Sequence, residues 1–231
     1  MKDVPSPNFN DRVANAKPAL VIVHYTGMDT AETALARLRD PGSEVSAHYM
    51  IDEDGSLFRL VDEVKRAWHA GRAYWKDERD INSLSIGIEL VNPGHAFGYR
   101  PFPKIQIATL KTLLHDIFRR WDIRTANLLG HSDVAPARKQ DPGEYFPWEE
   151  LATERLGLWP EPLPQDRRES TQGEAYELLR RIGYECPKTD ENICLAALHA
   201  FQRHYHPEVL MDEETPETLA RLRALVRLCG V

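Results

Sequence analysis

Two short apolar runs constrain this chain most: "PALVIVHY" at 18–25 and "LSIGIELVN" at 84–92. Both are rich in β-branched or aliphatic residues, and each reads as a buried strand. The elements around them alternate. "TAETALARLRD" carries alanine and leucine at helical spacing, with Thr30 placed to cap it. "SAHYMIDEDGSLFRLV" reads as two strands about the turn signal Glu53-Asp54-Gly55. "FPKIQIATLKTLLHDIFRRWD" puts Ile107, Leu110, Leu114, Ile117 and Trp121 on one helix face, and "NLLGH" is a last short strand. The first two-thirds is therefore α/β, a sheet with helices packed against it.

The proline-rich stretch "LGLWPEPLPQDRRESTQ" breaks this pattern and reads as a linker, with Leu158 and Trp159 able to dock on what precedes it. Three helical patterns follow, at about 172–183, 191–204 and 215–228, a small three-helix unit. The expected division is 1–155, a linker at 156–170, and a helical domain at 171–231. The length, 231 residues, suits one medium and one small domain.

A formal net charge of -7 argues against a nucleic-acid binder. No apolar run approaches the roughly 20 residues of a membrane helix. The start, "MKDVPSPNFNDRVANAKPAL", lacks the apolar core of a signal peptide. The expected compartment is the cytoplasm, with the periplasm the alternative for a chain whose leader has been removed. Cys186, Cys194 and Cys229 are odd in number and in no CxxC spacing. Incidental thiols are expected rather than a disulfide framework or a cysteine metal site. A monomer is expected.

The stretch "GHSDVAPARKQDPG", 130–143, carries a histidine, two aspartates, an arginine and a lysine on a loop punctuated by proline and glycine. His131 ends one strand and His24 ends another, next to a glycine turn. Singly, each suits a structural histidine equally well; together with Asp141 they make a three-ligand set of the kind catalytic zinc takes. Glu89 interrupts "IGIELVN", and a carboxylate in such a setting is costly unless paired or functional. An apolar setting would raise its pKa and suit it to taking a proton from water. Lys139 is placed to put positive charge beside a developing oxyanion. Tyr25, His48, Trp68, His69 and Arg72 are candidates for lining a substrate pocket, with Tyr74 and Trp75 as further aromatic platforms. Asp133 and Arg138 acquire no role, nor do His95, His115, His199, His204 and His206. No serine or cysteine nucleophile has a matching base, which disfavours a triad hydrolase.

"VIVHYTGM", "VSAHYMIDEDGSLFRLV", "AWHAG", "SIGIELVNPG" and "GHSDVAPARKQDPGEYFPW", in collinear order over about 18–152, resemble the zinc-dependent N-acetylmuramoyl-L-alanine amidases of the AmpD/AmiD type. The resemblance implies a central mixed β-sheet flanked by helices, with one zinc ion in a groove. It implies His24, His131 and Asp141 as zinc ligands, Glu89 as acid/base and Lys139 as the oxyanion's support. The implied substrates are peptidoglycan fragments or murein, in cell-wall recycling or turnover. Recognition-protein and phage members carry a tyrosine near the site and a cysteine as third ligand; Glu89 and Asp141 set this chain with the bacterial enzymes. The tail is similar to the three-helix peptidoglycan-binding domain at Leu179, Ile182, Gly183, Tyr184, Ala197, Phe201, Gln202, Thr218 and Leu219, but departs from it in both turns, "PKTDENI" and "LMDEETPET". The rivals are a non-catalytic recognition protein, which would lack a ligand, and a zinc amidase acting on another peptide.

Overall fold

The two apolar runs lie side by side at the middle of one sheet. The computed structural model describes residues 1–231. In chain order its elements are β1 (Lys2–Asp3), β2 (Phe9–Asp11), β3 (Leu20–Tyr25), α1 (Ala31–Arg39), β4 (Tyr49–Ile51), β5 (Leu57–Arg59), β6 (Lys65–Ala67), α2 (Ile81–Leu84), β7 (Ser85–Leu90), α3 (Gly94–Phe97), α4 (Lys104–Trp121), β8 (Leu128–Gly130), α5 (His131–Val134), α6 (Trp148–Thr153), α7 (Glu174–Ile182), α8 (Glu191–Tyr205) and α9 (Pro216–Cys229). Thr30 caps α1 as expected, its side chain accepting from the Thr33 amide.

The main sheet runs β1-β5-β4-β7-β3-β8. β3 is parallel to β7 and β8, and β4 is parallel to β7 but antiparallel to β5, so the sheet is mixed. Strand alternation splits β3 between two cores. Val21 and Val23 join Ile86, Ile88 and Leu90 against Leu110, Leu114 and Ile117 of α4. Leu20 and Ile22 face the opposite way. Burial on both faces is why β3 and β7 are apolar almost throughout.

The face opposite α4 is covered by the C-terminal helices. Leu20, Ile22, Leu129 and Val134 share one continuous core with Leu178, Leu179, Ile182, Tyr184, Leu198, Phe201 and Leu222. The core therefore crosses the stretch read as a linker. That stretch is pinned: Asp166 accepts from Arg227 at 2.9 Å, and Arg223 donates to the carbonyls of Asp166 and Arg168. Leu158 and Trp159 pack on the shared core, and Arg221 lies over the Trp159 ring. Apolar residues of the three-helix pattern, among them Leu179, Tyr184 and Phe201, are consumed in this packing. Gln202 is buried, with its side chain bonded to the Glu213 carbonyl and the Met211 amide.

Two expectations are corrected. Cys186 and Cys194 form a disulfide, leaving Cys229 as the free thiol. The turn between α7 and α8 brings the pair together, a proximity that a count of cysteines does not register. The 130–143 loop opens with one helical turn, α5, before its prolines begin. No helix is long and apolar enough to cross a membrane.

Candidate metal centre and cavity

Strand register assembles the candidate ligands. β8 pairs Gly130 with Val23, so His131 and His24, each one residue further along, leave neighbouring strand ends together. On the other side of β3, His24 is directly in register with Glu89. The loop after α5 then returns: the Ser132 amide donates to the Asp141 carbonyl at 2.9 Å. A side chain at Gly130 would meet Pro142 Cδ at 2.7 Å, so this closure needs a glycine there.

The result is a tight, buried triangle. His24 Nδ1 and His131 Nδ1 are 2.9 Å apart, and each is 3.0 Å from Asp141 Oδ2. The bonds made by the far side of each ring decide what occupies the space between them. His131 Nε2 is 3.1 Å from the Ala70 carbonyl, which can only accept, so the His131 proton sits on Nε2. His24 is assigned by a longer chain. The Ser85 hydroxyl donates to the Ile81 carbonyl at 2.6 Å, leaving its oxygen to accept from His69 Nε2 at 3.2 Å. His69 Nδ1 is then bare and accepts from His24 Nε2 at 3.0 Å. Both neutral imidazoles therefore aim lone pairs at each other and at a carboxylate oxygen.

Three acceptor atoms converging with no proton among them repel one another. A cation resolves the conflict, and two imidazole nitrogens with one carboxylate oxygen suit a borderline divalent metal. Titration behaviour agrees with neutral rings at His24 and His69. Burial, helped by the neighbouring His131, pulls His24 down to about 4. Burial also pulls His69 well below the usual imidazole range, with His24 and His48 acting in the same direction.

Glu89 stands beside this triangle in a different state. It lines the cavity, yet its Oε2 is shielded and has no hydrogen-bond partner. Burial, then the charge of Asp141, raises its pKa well above the ordinary carboxylate range, while Lys139 opposes the rise. A carboxyl so placed takes up a proton more readily than an exposed one.

A cavity of about 610 Å³ opens over these groups. It brings together His24, His131, Asp141, Glu89, Lys139, Tyr25, Trp68 and His69 from the residues expected to form the site. His69 is mostly enclosed behind His24, and it is the reason β7 carries a glycine: a side chain at Gly87 would strike the His69 ring at 2.4 Å. Two expected lining residues lie elsewhere. His48 is fully buried, its Nδ1 accepting from the Gly87 amide and its Nε2 facing the Lys65 carbonyl, so it ties strands together. Arg72 is exposed and outside this cavity; its carbonyl accepts from Arg138. Tyr74 and Trp75 also lie outside, the Tyr74 hydroxyl on Asp77 and Trp75 packed against Tyr184.

The residues left without a role on the loop acquire one. Arg138 donates to the Ala70 and Arg72 carbonyls, securing the segment that also receives His131 Nε2. Asp133, completely buried, accepts from the Gly130 amide, from the Tyr184 hydroxyl at 2.6 Å and from His204 Nδ1 at 2.7 Å. The ligand loop is thus held from the C-terminal helices. The same helices enter the cavity, where α8 contributes Ala196, His199 and Arg203. Nothing local in the sequence marks these three, because a helix face turns towards a groove only through its packing on another element.

Fold and site together define an α/β domain whose cavity carries a His-His-Asp cluster able to hold a metal ion. The sequence profile of the N-acetylmuramoyl-L-alanine amidases matches residues 14–144, and the chain belongs to that family. It is 34% identical to the N-acetylmuramoyl-L-alanine amidase AmiD of Escherichia coli K12, over 91% of this chain and 83% of that protein. The structure of that AmiD in complex with anhydro-N-acetylmuramic acid-L-Ala-D-γ-Glu-L-Lys superposes with a TM-score of 0.84 at 33% identity, covering 96% of this chain and 93% of the other. AmpDh3 of Pseudomonas aeruginosa, in complex with an anhydromuramic pentapeptide, gives 0.82 at 31% identity, covering 99% of each chain. The E. coli K12 amidase AmpD is 33% identical over 63% of this chain and 86% of its own length. The activity is that of an N-acetylmuramoyl-L-alanine amidase: hydrolysis of the amide joining N-acetylmuramic or anhydromuramic acid to the L-alanine of a peptidoglycan stem peptide, in cell-wall recycling or turnover.

Proposed function

We propose that His24, His131 and Asp141 hold a single zinc ion and that Glu89 and Lys139 carry the proton and charge changes of amide hydrolysis. The observation supporting this most is the proton count at the triangle: two bare imidazole nitrogens and a carboxylate oxygen within 3.0 Å of one another. Zinc bound there would polarise the scissile carbonyl and lower the pKa of an attacking water towards about 7. Glu89, which lines the cavity, takes the proton of that water and returns it to the departing alanine nitrogen. The alternation of roles requires a carboxyl that accepts a proton more readily than an ordinary carboxylate, the direction in which burial shifts Glu89. Lys139 places its charge beside the oxyanion of the tetrahedral intermediate. Arg138 and Asp133 hold the loop that carries His131, Lys139 and Asp141 in one arrangement.

The proposed substrates are soluble anhydromuropeptides. The cavity volume, about 610 Å³, suits the reacting end of such a fragment, and the AmiD and AmpDh3 structures that match nearly the whole chain hold ligands of this kind. The test separates metal binding from chemistry. Glu89→Ala is expected to retain one zinc per chain by metal analysis while turnover of an anhydromuramoyl tripeptide falls by about 10²–10⁴-fold. Turnover at the wild-type rate by Glu89→Ala would remove the assigned role.

A further inference from the structure

The cations that line the cavity differ in what they already hold. Arg138 is bonded to two backbone carbonyls, and Arg37 is exposed on α1. Arg203, on α8, is different: its side chain is 11% exposed, and its Nε is buried without a hydrogen-bond partner. The nearest carboxylate, Glu144, lies 3.9 Å from that Nε, and its Oε2 is engaged by His95 Nε2 at 3.0 Å. Burial pulls the Arg203 pKa down, the direction expected of a cation short of partners. A guanidinium has five donors and stays charged, and the buried, unpartnered Nε leaves this one short of bonds that a ligand anion in the cavity would supply.

We propose that Arg203 is a specificity-determining residue that pairs with the α-carboxylate of the second stem-peptide residue. The inference rests on the amidase reading and deepens it. In a γ-linked glutamate the side-chain carboxyl forms the peptide bond, so the α-carboxylate is free. That anion lies one residue past the alanine, at a fixed reach from the scissile amide whatever the length of the stem. A terminal carboxylate moves with stem length, and the sugar of an N-acetylmuramoyl amide carries no charge. Arg203 is placed for such a reach. It adjoins His204, which grips Asp133 on the ligand loop, and it is linked to Tyr25, the neighbour of His24, through Glu144 and His95. A planar fork facing a carboxylate is the geometry arginine serves best.

The experiment compares two substrates on the full-length, zinc-loaded protein: the anhydromuramoyl-L-Ala-D-γ-Glu-L-Lys acid, and the same compound with the glutamate α-carboxylate converted to its amide. The wild type is expected to favour the acid by about 10–100-fold in kcat/KM, the range of a charge-assisted hydrogen-bonded pair. Arg203→Ala is expected to lose about that factor on the acid and to treat the two substrates alike, whereas Arg203→Lys retains part of the preference. A merely structural role would slow both substrates equally. Cleavage of acid and amide at equal rates by the wild type overturns the inference, as does a preference that survives intact in Arg203→Ala. The wild-type arm decides even if Arg203→Ala does not fold. Cleavage of neither substrate by the wild type removes the amidase reading, and this inference with it.

Discussion

Asp133 and Asp141 sit on one loop, both buried, each touching a histidine, and they do opposite things. Asp133 meets three groups that each bring a proton: the Gly130 amide, the Tyr184 hydroxyl and His204 Nδ1. Asp141 meets two imidazoles whose protons are turned away, towards Ala70 and His69. The first cluster is complete as it stands and fastens the ligand loop to the C-terminal helices. The second turns three acceptor atoms towards one point, the donor set a cation would take. Counting protons around a carboxylate therefore separates a structural aspartate from a candidate metal ligand where burial and residue type do not.

The contrast can be broken at either end. Removing Asp141 is expected to have the largest effect: Asp141→Ala should abolish stoichiometric zinc and reduce turnover by about a thousandfold or more, since the metal supplies several kcal/mol of transition-state stabilisation. The same change should leave the metal-free protein as stable as the wild type or more so, because it removes one of three converging acceptors. Denaturant unfolding in chelator checks this, and a large loss of stability there would mean that Asp141 is not poised for a cation. Asp133→Ala should behave in reverse, costing about 2–5 kcal/mol of stability with or without zinc, because the Tyr184 hydroxyl and the His204 N–H are left buried and unpaired. Its folded fraction should still bind zinc.

A smaller effect is expected one step further out. His69 supplies no candidate ligand atom itself, but by accepting from His24 Nε2 it keeps the His24 proton there. His69→Ala is expected to weaken zinc affinity by about 10–100-fold in competition with a chelator, the usual size for a group that orients a ligand. Unchanged affinity would show that the chain from Ser85 through His69 does not decide the tautomer of His24.

Much of this molecule is legible in its sequence. The apolar runs announce β3 and β7, the heptad-like face of "KIQIATLKTLL" announces α4, and Glu89 stands out because a carboxylate in an isoleucine-rich strand demands a reason. These are local signals, carried by spacing along the chain. The ligand set emerged from the placement of two histidines at strand ends and from family resemblance. Its convergence depends on the register of β8 on β3, which no window of sequence contains. His48 and Arg72 illustrate the limit in the other direction. Both have chemistry that suits a pocket, and both are committed to backbone groups or to solvent instead.

By itself, the sequence determined which segments become strands and helices, because burial on one or two faces dictates their period. It also supplied the ligand types and the carboxyl that interrupts β7. Tertiary structure decided the rest: which nitrogen of each histidine is bare, that Asp133 fastens the loop while Asp141 joins a candidate metal-binding triangle, that Cys186 meets Cys194, and that α8 brings Arg203 to the cavity. Those outcomes depend on partners far apart in the chain, such as His24 and His131 at a separation of 107 residues. A hydrogen bond or a proton position is a property of a pair of atoms in space, and only packing places the pair.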